Sequence, residues 1–189
     1  MGIKMEKIIE KVNENQIAIF LVFIAIVTRF LPHPANFTAI GAAAIFSGTY
    51  LKRNQALLVP LAAMVASDLF IGMHNLVFFT WGSFVLMGLI GLWVRKNKNV
   101  ANVVLGTLTG SFLFFFITNT AVWAFTPLYT KNFQGLMQSY VMAIPFFKNS
   151  LAGDFFYAGV LFGAYEGAKY MISKMNSSIE ANDISYQKN

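Results

Sequence analysis

The sequence of 189 residues contains no cysteine. That excludes disulfides, thiolate metal sites, iron–sulfur ligation and a cysteine nucleophile, and it leaves the redox compartment unread. Charge is scarce as well. Asp, Glu, Lys and Arg make up 12% of the chain, about half of the roughly 25% usual in globular proteins. No GxSxG, no HExxH and no glycine-rich phosphate loop with its lysine occurs, so nothing equips the chain to hydrolyse ATP by itself. The two histidines, His33 and His74, have no third ligand at a zinc spacing, and no cofactor or metal is expected.

What the chain has in abundance is apolar surface. Hydrophobic residues make up 57%, Phe alone contributes 20, and the mean hydropathy is +0.59. That is too apolar for a water-soluble core, and a lipid bilayer is the expected solvent. The net charge of +6 sits in short runs between apolar stretches. It predicts topology signals and no nucleic-acid partner.

A spanning helix needs about 20 mainly apolar residues. On that rule the sequence predicts an all-α integral membrane protein, a bundle of six transmembrane helices over 16–32, 36–51, 55–72, 76–94, 100–126 and 151–172. Residues 1–15 form a cytoplasmic segment and 173–189 a disordered cytoplasmic tail. The first 16 residues mix three Lys with three Glu, and no small-residue cleavage site follows, so a removable signal peptide is not expected. The second span is short. At 1.5 Å per residue it covers about 24 Å, so it is either recessed in the bundle or continued by its flanking turns.

Orientation follows from Lys and Arg. With the N-terminus inside, Lys4, Lys7, Lys11, Lys52, Arg53, Arg95, Lys96, Lys98, Lys169, Lys174 and Lys188 are cytoplasmic, and Arg29, Lys131 and Lys148 are outside. Eleven of the 14 basic residues on one side favours this direction, with both termini in.

Two outer loops stand out. Residues 29–37 read RFLPHPANF, where Pro32 and Pro34 flank His33 and stiffen a polar turn. Between the last two spans, the apolar patch Tyr140–Phe147, interrupted by Pro145, is either a re-entrant segment over the outer mouth or a partly ordered loop on the headgroups.

Polar side chains inside a membrane are costly, so their positions carry information. Threaded in this direction they gather at the outer side: Arg29, His33 and Asn36 at the first turn, Asp68 near the end of the third span, Trp81 at the start of the fourth, Asn119 and Trp123 in the fifth, and Asp154 at the start of the sixth. The midplane is nearly bare, which speaks against an autonomous proton-coupled carrier. Arg29 and Asp68 either pair with each other or contact a ligand. Trp81 and Trp123 belong either to the interfacial aromatic belt or to a stacking site. His33 and His74 suit hydrogen-bonded turn residues better than metal ligands. Asn119 must bond another helix, the backbone or a ligand, because an unpaired amide there is penalised.

Small residues recur every fourth position: Ala39, Ala43 and Ser47; Ala62 and Ala66; Gly106 and Gly110; Gly159, Gly163 and Gly167. Such stripes allow close helix approach, either within this bundle or against a partner.

The segments RFLPHPANFTAIGAAAIFSGTY (29–50) and VPLAAMVASDLFIG (59–72) resemble a group of uncharacterised bacterial six-helix membrane proteins. That group in turn is similar in size, helix number and orientation to the substrate-binding S components of energy-coupling factor (ECF) vitamin transporters. The resemblance implies multi-pass residence in the bacterial cytoplasmic membrane, a small molecule bound beneath the first outer loop, and docking onto a membrane coupling subunit driven by ATPases. No signature for riboflavin, thiamine, biotin or folate is matched. The expected role is uptake rather than chemistry: Trp81 and Trp123 stack on a planar or heterocyclic solute, Asn119 and Asp68 bond its polar edge, and Arg29 or His33 meets an anionic group. The alternatives are an intramembrane enzyme using His33, His74, Asp68 or Asp154 on a lipid-linked substrate, and a non-catalytic assembly factor.

Overall fold

The computed structural model describes residues 14–187, with side chains to residue 179. The basic residues Lys4, Lys7, Lys11 and Lys188 used to set the orientation therefore lie outside the described part. Within it are six α-helices and no strand: α1 (Glu14–Val27), α2 (Ile40–Tyr50), α3 (Leu58–Ile71), α4 (Val77–Lys96), α5 (Val100–Phe125) and α6 (Phe133–Gln187), with a 3-10 turn at Thr28–Phe30 after α1. Of these, α4 and α5 are long and apolar enough to cross a membrane by length and composition. The first three, at 14, 11 and 14 residues, are shorter than the roughly 20 residues a straight span needs.

Local chemistry sets the ends. Pro32 and Pro34 cannot continue α1, and the chain turns with Phe37 N–H bonded to the Pro34 carbonyl at 3.0 Å. Asn36, third in that turn, has φ 62°, a left-handed conformation that asparagine tolerates better than most residues. Gly72 ends α3 at φ +122°, which a residue with a Cβ would resist. Asn99 caps α5, its side chain accepting the Asn102 N–H at 2.8 Å.

The short helix α2 is the centre. Its residues Ile40 to Thr49 are all buried, and it packs against every other helix, most extensively α4. Small residues make this possible. A Cβ added at Gly48 would overlap the Gly88 carbonyl and come within 2.7 Å of the Gly91 Cα, so the two backbones meet directly. Arg95 of α4 then donates to the terminal carbonyls of α2, at Gly48 (2.5 Å), Thr49 (3.0 Å) and Leu51, satisfying the helix end and complementing its dipole. α2 is thus recessed within the bundle.

The last helix differs from expectation at both ends. Residues 133–150, where a loop was one expectation, are helical and form the first third of α6, running back along α5. Tyr140 Oη lies 2.7 Å from Thr120 Oγ1, and the Phe115 and Phe147 rings are 4.7 Å apart. Pro145 sits inside this helix; a proline in an apolar bundle is tolerated where neighbours hold the segment. At the other end the helix continues to Gln187, where a disordered tail over 173–189 was expected; residues 188–189 lie outside the described residues. A formed helix propagates without a new nucleation cost, and this stretch contains no glycine or proline.

The exterior is rich in exposed Phe, including Phe70 at 83% and Phe78 at 76%, while Ser47, Ser67, Asp68, Ser83, Thr107, Ser111, Ser139 and Asp154 are buried. Most of the hydroxyls bond a carbonyl one turn back, as Ser47 to Ala43 and Ser83 to Phe79, so they cost little inside.

Candidate functional site

At the end of the bundle opposite Lys52, Arg95 and Lys98, a cavity of about 350 Å³ lies among α2, α3, α4, α5 and α6. Its size falls in the lower part of the range of small-molecule sites, roughly 300–1,000 Å³. The first turn contributes Asn36 and Thr38; the α3–α4 turn contributes His74; α4 contributes Thr80; α5 contributes Thr118; α6 contributes Ser150 and Asp154. The apolar walls are Met64, Met87, Phe84 and Phe114, the two rings 5.1 Å apart. The turn that frames the opening is pinned to α6, Asn149 Nδ2 donating to the Ala35 carbonyl at 3.0 Å.

Arg29 borders the cavity but is already engaged. Its Nη1 lies 2.8 Å from Asp68 Oδ1 and 2.5 Å from Ser67 Oγ. Asp68 is in turn engaged at both oxygens, because Trp81 Nε1 donates to its Oδ2 at 2.8 Å. This network ties the end of α1 to α3 and α4. It leaves Asp68 and Trp81 outside the cavity lining, against the expectation that they contact a solute.

Asp154 lies deeper than expected. It is the 22nd residue of α6, not its start, and it faces Ser111, whose hydroxyl donates to Oδ2 at 2.7 Å. Ser111 is about 16 Å along α5 from Val100 and about 21 Å from Phe125, at 1.5 Å per residue. A carboxylate therefore stands near mid-height of the bundle, where the sequence reading left the interior nearly bare. The Ala42 amide near the N-terminus of α2 lies close by. A Cβ at Gly41 would overlap Asp154 Oδ1, so glycine is what lets the carboxylate reach this helix end.

The remaining expected residues go elsewhere. His33 Nδ1 is 3.0 Å from its neighbour's carbonyl, Pro34 O, in an exposed turn. Trp123 Nε1 donates to the Thr130 carbonyl at 2.9 Å and lines no described cavity. Asn119 Nδ2 bonds the Phe115 carbonyl one turn back at 2.7 Å. It borders a smaller chamber of about 110 Å³ between α5 and α6, which shares Asn36, Thr118 and Ser150 with the main cavity. Of the eight residues expected to bind a solute, the main cavity is thus bordered by Arg29, Asn36 and Asp154. Thr38, Gly41, Thr80, Thr118 and Ser150 were not among the eight; hydroxyls and a glycine facing each other on separate spans were the available signal. No group of three or more metal-ligating side chains occurs among the described residues.

The small-residue stripes divide. Ala39, Ala43 and Ser47 are buried, and Gly106 and Gly110 face α4. Gly159, Gly163 and Gly167 have none of the described residues within 4 Å of an added Cβ, and the first two line a groove shared with α5.

No curated protein and no solved structure matches the chain. Residues 10–176 match the model of a family of unknown function, DUF6580, and since this is most of the sequence the protein belongs to that family.

Proposed function

We propose that this protein is a multi-pass membrane protein that captures a small solute in the cavity bordered by Asn36, Thr118 and Asp154 and serves as the binding component of an uptake system. The observation that carries it is the convergence of polar groups from separate helices on one cavity with an aromatic and thioether wall, the usual composition of a small-molecule site. Six membrane crossings with both termini in the cytoplasm, in a bacterial inner membrane, are supported by the polar interior, the Phe-rich exterior and the Lys/Arg bias. The open glycine face of α6 suits an ECF-type coupling subunit better than internal packing.

Two of the four candidate acids and bases are withdrawn from chemistry at the cavity, while His74 and Asp154 border it and suit solute contact in this reading. Asp68 is spent on Arg29 and Trp81, and His33 is held in its own turn. The test is to purify the protein in lipid nanodiscs without a detergent wash, denature it, and look for a released small molecule by mass spectrometry. A single compound near one per chain is expected. Repeated recovery of none, from cells grown in rich medium, would contradict solute capture.

A further inference from the structure

The charged groups at the cavity are unevenly balanced. The ion pairs among the described residues are Arg29–Asp68, Lys98–Glu166 and Lys169–Glu14, and none includes Asp154. Arg29 is neutralised by Asp68 at 2.8 Å. His74 at the mouth is held by its own turn, its Nδ1 3.3 Å from the Leu76 N–H and its Nε2 3.5 Å from Thr80 Oγ1. Asp154 is 5% exposed and its hydrogen-bond donor is the neutral Ser111 hydroxyl. A carboxylate kept from water with no cationic partner is costly, and a cation entering the cavity removes that cost. The wall of the same cavity includes the Phe84–Phe114 pair, and an aromatic ring attracts an organic cation to its face.

From this juxtaposition we infer that the solute is a compact organic cation, an ammonium or amidinium compound whose charged end meets Asp154 and whose body lies against Phe84 and Phe114. This rests on the cavity being a solute site, and it replaces the anionic group that Arg29 was expected to meet. Thr118, Thr80 and Asn36 supply hydrogen bonds to the rest of such a molecule.

Three probes of matched size separate the possibilities: benzylammonium, benzyl alcohol and benzoate, each at millimolar concentration at neutral pH. Binding is read by saturation-transfer NMR on protein in nanodiscs, with empty nanodiscs as the background for bilayer partition. Benzylammonium is expected to bind above background and benzoate not. Asp154→Asn, which keeps a hydrogen-bond acceptor for Ser111, is expected to weaken benzylammonium by about tenfold or more. The comparison among the three probes uses the wild-type protein, so it stands even where the variant folds poorly. Equal or stronger binding of benzyl alcohol or benzoate overturns the cation assignment and leaves solute capture intact. No probe above background overturns both.

Discussion

Arg29 and Asp68, 39 residues apart in the chain, form an ion pair at 2.8 Å with their side chains 16% and 3% exposed. Because Trp81 occupies the second oxygen of Asp68, the pair is part of the frame of the cavity. Breaking such a pair leaves a charge unpaired where water is scarce, a cost of about 3–5 kcal/mol for fully buried pairs. Asp68→Ala is therefore expected to destabilise by about 3 kcal/mol, and the double variant Arg29→Met/Asp68→Leu to recover most of it. Thermal unfolding in detergent checks both. A double variant no more stable than Asp68→Ala would show that Trp81, not the ion pair, carries the effect.

The contact between α2 and α4 predicts a contrast between glycines. Gly48 has the α4 backbone in the place of its missing side chain, whereas Gly163 faces open space. Gly48→Ala is expected to cost about 1–3 kcal/mol by overpacking, and Gly163→Ala to leave unfolding unchanged. If Gly163 docks a coupling subunit, Gly163→Leu weakens co-purification of that subunit without lowering the unfolding temperature.

The pairing of Arg29 with Asp68 was legible in the sequence, because two charges at one depth of an apolar chain are strongly driven to meet. The shortness of the second apolar stretch left two readings, recessed or continued by its turns, and the buried α2 agrees with the first. The depth of Asp154 was not legible. The stretch before residue 151 reads as a loop broken by Pro145, which puts Asp154 at the start of a span rather than near mid-height of the bundle. The tryptophans stand apart from the main cavity for a different reason. Trp81 and Trp123 bond a buried carboxylate and a loop carbonyl, partners that sequence spacing does not reveal, while the rings that border the cavity belong to Phe84 and Phe114, two among 20 phenylalanines.

Six crossings with both termini inside place Asn97, after α4, in the cytoplasm and Asn132, before α6, outside. The chain has no cysteine, so single cysteines at these positions can be labelled without background. Asn97→Cys is expected to react with an impermeant maleimide only in inverted vesicles, and Asn132→Cys only in intact cells. Labelling of both from the same side would contradict the proposed number of crossings between them.

The most direct test of solute capture is release mass spectrometry on a pair of α5 variants. Thr118 borders both the main cavity and its side chamber, so Thr118→Trp fills the space. Trp123 bonds the Thr130 carbonyl outside it, so Trp123→Phe leaves the space as it is. The account predicts that the wild-type protein and Trp123→Phe release the same compound in the same amount, and that Thr118→Trp, inserted and folded, releases none. Equal release from Thr118→Trp, or loss confined to Trp123→Phe, would contradict it.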